Sequence, residues 1–151
     1  MSERAVAIRL KIPDNEAYTA LTALRGLGVA VEKLERSEIW RVDDGGDVAT
    51  LAARIESNEA IFNPNKHRLT VLDSNEPRLG EAWVYELPVT GGEDPVAYDT
   101  VGGKRIAGIS RARRYIGWRL LDAAGSAVPR TSVRDAVERL LCNPAIEKAL
   151  Y

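Results

Sequence analysis

Hydrophobic and polar residues follow two different rhythms along the first half of the chain. Apolar and polar side chains alternate over residues 5–12, which predicts a strand. Pro13-Asp14-Asn15 then offers a turn and an N-cap, and the spacing of Ala17, Leu21 and Leu24 predicts a helix that ends near Gly26 or Gly28. Two strands are predicted next, over 29–35 and 37–43. A second helix, capped by Asp47, has Val48, Leu51, Ala52 and Ile55 on one face, and a strand over 67–72 completes the order βαββαβ.

The second half repeats this order of motifs. Val6-Ala7-Ile8-Arg9-Leu10 corresponds to Trp83-Val84-Tyr85-Glu86-Leu87, at an offset of 77 (83 − 6). Ile39-Trp40-Arg41-Val42 corresponds to Gly117-Trp118-Arg119-Leu120 at 78 (118 − 40), and Asn58-Glu59-Ala60-Ile61 to Asn143-Pro144-Ala145-Ile146 at 85 (143 − 58). The jump falls in the longer loop of the second half, where insertions cost little.

The repeated motifs predict an α+β protein made of two tandem βαββαβ units with antiparallel sheets, arranged as a pseudo-dimer. The units would cover residues 1–74 and 80–151, joined by the polar linker 73–78. The elements predicted for the second unit are a strand over 82–88, a short helix from Asp94-Pro95 to Gly102-Gly103, strands over 105–110 and 113–121, a helix from Ser132, and a very short or edge strand within 147–151.

The last helix supplies the clearest candidate core. Its apolar face comprises Val133, Ala136, Val137, Leu140 and Leu141. Because proline cannot continue a helix, Asn143-Pro144 should end it, and Leu140 and Ile146 should then pack into the same core.

Composition is that of an ordinary globular protein. The chain has 151 residues, 45% of them hydrophobic and 28% charged, and no apolar run approaches the ~20 residues of a membrane span. There is a single cysteine, and 21 basic against 22 acidic residues leave a net charge of −1. We therefore expect a cytoplasmic protein that uses no membrane and does not take nucleic acid as its partner.

Catalytic residues are not apparent in the sequence. A Cys/His site would need Cys142 as a thiolate beside His67, the only histidine, but Cys142 follows two leucines and reads as a small buried hydrophobe. His67 begins a strand among polar residues. No catalytic residue is assigned.

Two short motifs resemble ligand sites but lack the required spacing. Val101-Gly102-Gly103-Lys104-Arg105 has Tyr98 where a Walker loop needs glycine, and the glycines read as a helix cap and a turn. Asp43, Asp44 and Asp47 resemble a calcium loop, but its twelfth position is Arg54, so a solvated loop is expected. No cofactor and no metal are assigned.

Arginines of the second half form the best candidate contact surface for a partner. The predicted partner-contact residues are Arg111, Arg113 and Arg114. Further basic residues lie close to them in the sequence, namely Lys104, Arg105 and Arg119. Strand alternation would place Tyr115, Gly117, Arg119 and Leu121 on one face, and Arg114, Ile116, Trp118 and Leu120 on the other, with Trp118 in the core. The RNA-recognition strand signature is missing, so a basic edge or a docking surface for an acidic partner is the better interpretation.

The ending Leu140-Leu141-Cys142-Asn143-Pro144-Ala145-Ile146-Glu147 resembles the C-terminal part of the PurS family. Asp94-Pro95 is similar to the start of that family's first helix, and Leu24-Arg25-Gly26-Leu27-Gly28 is similar to its end. Asn58-Glu59 stands where the family pattern has Asn-Pro, and the second copy has a shortened helix.

The resemblance implies a non-catalytic small subunit of phosphoribosylformylglycinamidine synthase, an ATP-dependent, glutamine-using amidoligase of purine biosynthesis. Its partners would be the glutaminase and synthetase subunits, which it would bridge, and it could also form homo-oligomers. Two alternatives remain open: a ligand-sensing regulatory domain of βαββαβ type, and a single-stranded RNA-binding module.

Overall fold

A single antiparallel sheet of six strands runs through the computed structural model, which describes residues 2–46 and 48–151. The spatial order of the strands is β3-β1-β2-β5-β4-β6. The strands are β1 (Ser2–Leu10), β2 (Lys33–Asp44), β3 (His67–Val71), β4 (Glu81–Glu86), β5 (Ile109–Leu121) and β6 (Glu147–Leu150). The helices are α1 (Asn15–Gly26), α2 (Leu51–Glu56, after a 3-10 turn at Val48–Thr50) and α3 (Arg130–Ala136, continued by a π-helical turn at Val137–Leu141). The α+β class and the antiparallel sheet are confirmed.

Helix α1 forms where the apolar spacing predicts it. The Asp14 side chain accepts hydrogen bonds from the backbone N–H groups of Glu16 and Ala17, which satisfies two of the free donors of the first turn. Ala17 and Leu24 are buried, and Gly28 leaves the helix with φ +83°. The predicted cap and stop are therefore both confirmed.

The prediction of two strands over 29–35 and 37–43 is wrong, because residues 33–44 form one long strand. Val29 and Val31 are buried beside Leu24, and the Val29 N–H donates to the Leu24 carbonyl. Their alternation reflects burial of the helix-to-strand connection rather than strand pairing. The first half is therefore β-α-β-α-β, not βαββαβ.

The second half lacks the predicted short helix. Residues 94–103 contain proline, valines, tyrosine and threonine, which are poor helix formers, and Tyr98 instead pairs with Ala112 as a strand bridge. Gly102 and Gly103, with φ +59° and +81°, close a two-residue turn between Val101 and Lys104. The predicted strands 105–110 and 113–121 are replaced by one strand, β5, which begins at Ile109, and residues 105–108 are not in a strand.

The C-terminal helix buries four of its five predicted core residues. Val133, Ala136, Val137 and Leu141 are buried, whereas Leu140 is 41% and Ile146 58% exposed. The prediction that Leu140 and Ile146 share a core is wrong. The π-helical turn at Val137–Leu141 has more residues per turn than an α-helix. The next buried residue after Val137 is therefore Leu141 rather than Leu140. Strand β6 then forms at the sheet edge, as predicted.

The helices cover one face of the sheet in two clusters. In one cluster α1 and α3 pack on Ala82 and Leu120. In the other, α2 packs on Val6, Trp40 and Val42, joined by Val101 from the connection between β4 and β5. Val101 is 0% exposed, so this irregular connection helps to cover the sheet. The predicted cap Asp47 lies outside the described residues.

The two halves of the sheet have equivalent arrangements. From each edge inward the strands are β3, β1 and β2 in the first half and β6, β4 and β5 in the second, and the pairing registers also correspond. Each strand of the first half is related to its counterpart by a constant difference in residue number. The difference is 76 between β1 and β4 (82 − 6), 78 between β2 and β5 (118 − 40), and 80 between β3 and β6 (150 − 70). These offsets reproduce every pairing of β4, so that Val6↔Trp40 becomes Ala82↔Trp118 and Ala7↔Thr70 becomes Trp83↔Leu150. Trp83 thus corresponds to Ala7. The sequence alignment, which matched Trp83 with Val6, is displaced by one position and places the two on opposite faces.

Candidate functional site

Two grooves open where pairs of strands separate. Strands β1 and β2 stop pairing at Ile8↔Glu38, and β4 and β5 stop at Val84↔Ile116. These two points correspond under the offsets that relate the two halves. We call the resulting clefts the first fork groove, between β1 and β2, and the second fork groove, between β4 and β5.

The second fork groove encloses about 320 Å³. Its lining is aromatic and apolar, with Tyr85, Tyr98, Val89 and Val96, and it carries Arg114 on β5. The long connection between β4 and β5, which runs over 87–108, forms one wall, and connections of that length are often functional. Such a lining suits a small, partly apolar ligand.

The first fork groove is larger, about 500 Å³, and carries more positive charge. Its cations are Arg9, Lys11, Lys33 and Arg36, of which Arg9 is paired with Glu35 and Arg36 with Glu16. The acidic groups around it are already engaged: Glu35 pairs with Arg9 at 2.7 Å, Glu32 pairs with Arg25 at 3.5 Å, and Asp14 caps α1. Lys33 is exposed and has no ion-pair partner among the described residues, so the groove favours an acidic ligand.

The opposite sheet face, which we call the helix-free face, carries a buried cluster with no helix residue among those described. The cluster contains Ala5, Ala7, Ile39, Leu72, Trp83, Tyr85 and Tyr115. Ion pairs surround it. Glu3 lies 3.5 Å from both Arg41 and Arg113, and Glu35 joins Arg9 to Arg119 at 2.7 and 3.7 Å. The arginines of this face are therefore largely neutralised in place.

Tyr115 is the unusual group of this cluster. Its side chain is 1% exposed, and its hydroxyl has no hydrogen-bond partner among the described residues. Burial raises the pKa of Tyr115 to about 12. The guanidinium of Arg41 lies 5.2 Å from the ring centre, and Tyr85 packs edge-on at 5.6 Å. Tyr115 thus acts as an aromatic packing group rather than as an acid or base.

Glu81 is buried at the other end of the cluster. Its carboxylate accepts hydrogen bonds from the Arg78 backbone and guanidinium and from the Trp83 indole, at 2.6 to 3.1 Å. The side-chain hydrogen bond to Glu81 raises the pKa of Arg78. This arrangement attaches the connection 73–80 to β4.

The predicted contact residues Arg111, Arg113 and Arg114 do not form one cluster. Arg111 and Arg113 lie on the helix-free side of β5, where Arg113 pairs with Glu3. Arg114 lies on the opposite side and pairs with Glu38 at 3.2 Å. The structure thus brings Arg114 into the second fork groove and separates it from the other two.

Cys142 and His67 belong to opposite ends of the sheet. Cys142 is half-buried, and burial raises the pKa of its thiol, which disfavours a thiolate. His67 begins the edge strand β3, where its Nδ1 accepts from the Asn63 N–H. Among the described residues, no group of three His, Cys, Asp or Glu side chains is arranged to hold a metal ion.

Asp43 and Asp44, which the sequence places in a solvated loop, are the last two residues of β2. Asp44 is buried and pairs with Arg54, whose guanidinium donates to both carboxylate oxygens at 3.0 and 3.1 Å. Arg54 also donates to the Ala107 carbonyl at 2.7 Å. Asp44 therefore has a structural role, linking β2 to α2 and to the connection before β5.

The two Asn-Pro turns have the same hydrogen bonds. In each, the asparagine carbonyl accepts from the N–H groups three and four residues later, and its side chain accepts from the N–H two residues later. Asn143 therefore corresponds to Asn63, at an offset of 80 (143 − 63), and not to Asn58 as the sequence alignment proposed. Asn58 is buried and donates to the Val101 carbonyl instead.

Sequence reasoning missed the residues that define the grooves and the helix-free face, namely Glu3, Lys33, Glu35, Arg41 and Glu81. Alternation of charges along β1 and β2 was the available signal, because residues two apart share a face. Their cross-strand partners depend on register, which no local pattern specifies.

No family model matches the chain, and no curated protein matches it. No helix in the described parts of the chain is long and apolar enough to cross a membrane.

Proposed function

We propose that the chain is a tandem PurS-like protein, in which one polypeptide supplies two copies of a subunit. The observation that carries the proposal is the coincidence of registers: all eight pairings of β4 with β5 and β6 follow from those of β1 by fixed offsets. Two unrelated halves would match in register only by chance.

The Asn-Pro turns support the same proposal. The PurS-like ending lies in the second half, and Asn63-Pro64 makes the same turn before β3 as Asn143-Pro144 makes before β6. Both halves thus carry the Asn-Pro pair of the ending, whereas its flanking Leu-Leu and Ile-Glu occur only in the second half. The apparent departure at Asn58-Glu59 came from matching the wrong asparagine.

In this proposal the chain is a cytoplasmic, non-catalytic subunit. It would bridge a glutaminase to an ATP-using synthetase and assist the amidation of formylglycinamide ribonucleotide. The sheet offers two related ends for two different partners, because the first fork groove is basic and the second is aromatic. Divergence of the two halves would let one chain distinguish the two enzymes.

A ligand-sensing regulatory module is the second candidate, favoured by the aromatic second fork groove of about 320 Å³. The RNA-binding alternative has less support. Arg113 and Arg114 project from opposite faces of the sheet, so an RNA strand stacked on one face would contact only one of these arginines.

Association with purified partners tests the leading proposal. The full chain would be mixed at tens of micromolar with the glutaminase and synthetase subunits of its own cell, with substrates and nucleotide, and analysed by sedimentation velocity. We expect a complex containing the chain and a gain in glutamine-dependent amidation, with ammonia-dependent amidation less affected. If no association with either subunit is detected, the bridging role is wrong. Stabilisation by one member of an amino-acid panel in a thermal-shift assay would then favour the sensing module.

A further inference from the structure

The two fork grooves differ in one respect that bears on binding. In the second fork groove, the segment around Tyr98 lies alongside β5 as a short added strand. The Tyr98 N–H donates to the Ala112 carbonyl at 2.8 Å, and the Ala112 N–H donates back at 2.7 Å. The first fork groove has no such segment among the described residues.

The position corresponding to Ala112 in the first half is Leu34, because β2 and β5 are related by an offset of 78 (112 − 34). In an antiparallel pair, successive residues direct their N–H and C=O groups alternately toward and away from the partner strand. Ala112 is opposite Val42, and Leu34 is opposite Leu120. The two pairs are an even number of residues apart along the strands, so the backbone groups of all four residues point away from the β2–β5 interface. The backbone groups of Leu34 and Arg36 therefore point away from β5, toward the side that β1 has left.

Among the described strands, none pairs with that side of β2 between Lys33 and Ser37, before the last β1 pairing at Ile8↔Glu38. In the strand registers of the described residues, Leu34 and Arg36 have a paired residue only on the β5 side. The first fork groove, about 500 Å³, lies beside them. The groove thus has both the space and the free backbone groups that an added strand requires.

We infer that the first fork groove binds an extended, acidic segment of a partner protein, which pairs with Leu34 and Arg36 as Tyr98 pairs with Ala112. The acidity of the segment follows from the two lysines of the groove: Lys33 is exposed and has no ion-pair partner within the described residues, and Lys11 donates only to the Pro64 carbonyl. Apolar side chains on the segment would cover Ile12 and Tyr18, which are 51% and 72% exposed. This inference stands whether or not the chain is PurS-like.

The chain's own added strand provides a probe. A peptide with the sequence of residues 94–100, Asp-Pro-Val-Ala-Tyr-Asp-Thr, is acidic and carries apolar and aromatic side chains. Fluorescently labelled peptide would be titrated with the full chain at low salt, with a scrambled peptide for comparison. Hydrogen exchange would be followed at the Leu34, Arg36 and Ala112 amides by NMR.

We expect saturable binding of the peptide and weaker binding of its scrambled form. In the free protein the Ala112 amide should exchange slowly and the Leu34 amide fast, and the peptide should slow exchange at Leu34 and Arg36. Lys33→Glu should weaken binding about fivefold, whereas the matched variant Lys104→Glu, also exposed but outside the groove, should change it less than about twofold.

The inference is overturned if no saturable binding is seen up to about 1 mM, a range that covers weak peptide interactions. Equal binding of the scrambled peptide, or of Lys33→Glu, would also overturn it. So would protection confined to residues outside β2. Pairing of two chains through this edge without peptide, seen as a dimer by sedimentation, would identify a second copy as the occupant and contradict the partner-segment assignment.

Discussion

At the scale of single residues, charges that look available in the sequence are mostly paired in the fold. Arg113 shares Glu3 with Arg41, and Asp44 is held by Arg54. Glu3 is distant in the chain from both of its arginines, and Asp44 and Arg54 are ten residues apart on different elements, so neither member reveals its partner locally. The exposed Lys33 is notable because its neighbours are paired.

The Tyr115 hydroxyl should contribute nothing to stability. It is buried without a partner among the described residues, so Tyr115→Phe removes an unsatisfied group and leaves the ring contacts in place. We expect the free energy of unfolding in urea to stay equal or rise. Tyr85→Phe is the comparison, because the Tyr85 hydroxyl donates to the Glu93 carbonyl at 2.6 Å, and its loss should cost about 0.5–1.5 kcal/mol. A loss above about 1 kcal/mol in Tyr115→Phe would contradict this account.

Removing the Arg54 guanidinium should be costly, because the Asp44 side chain is 0% exposed and would be left as a buried charge. We expect Arg54→Met to lower the free energy of unfolding by about 3–5 kcal/mol. Adding Asp44→Asn should restore part of the loss, since it removes that charge. Arg134→Met, at an exposed position, is the control and should change stability by less than about 0.5 kcal/mol. A similar small effect for Arg54→Met would show that the pair is not stabilising.

At the scale of elements, the local sequence pattern fails to predict the structure where an irregular segment packs against regular elements. The connection between β4 and β5 contributes Val101 to the core beneath α2, and its Tyr98 extends the sheet beside β5. An irregular segment thus fulfils two roles of regular structure. Its conformation depends on the glycine turn at Gly102-Gly103, which returns the chain toward β5.

The π-helical turn predicts a contrast between adjacent leucines. Leu141 is 8% exposed and joins the α1 and α3 cluster, so Leu141→Ala should cost about 2–5 kcal/mol in urea unfolding. Leu140 is 41% exposed, and Leu140→Ala should cost less than about 1 kcal/mol. The reverse order would indicate a regular α-helix through this region.

The glycine turn predicts a second contrast. Both Gly102 and Gly103 have positive φ, where a side chain costs about 1–2 kcal/mol. A Cβ on Gly102 would also collide with the Ile61 side chain, whereas nothing lies within 4 Å of one on Gly103. Gly102→Ala should therefore lower the thermal midpoint more than Gly103→Ala does. Equal effects would mean that Ile61 does not contact the turn.

At the scale of the whole molecule, the central pairing of β2 with β5 joins the two halves along the full length of β2. Helix α1 of the first half packs in one cluster with α3 of the second. The other two clusters of the described residues also combine both halves, so neither half has a separate core within them.

Unfolding should accordingly be one cooperative transition, despite the two-unit sequence pattern. Tryptophan fluorescence reports on both halves, through Trp40 in the first and Trp83 and Trp118 in the second, and circular dichroism reports on the backbone. We expect the two signals to coincide in urea. Two separated transitions would show that the halves unfold independently.

The sequence by itself determined the α+β class and the limits of α1 with its Asp14 cap. These follow from contacts a few residues apart, which hydrophobic period and capping chemistry specify. Tertiary structure alone decided that residues 29–32 join α1 to β2, and that Tyr98 pairs with Ala112. It also decided the fork grooves and the ion pairs of the helix-free face. These features depend on strand register, which is fixed by packing between residues distant in the chain.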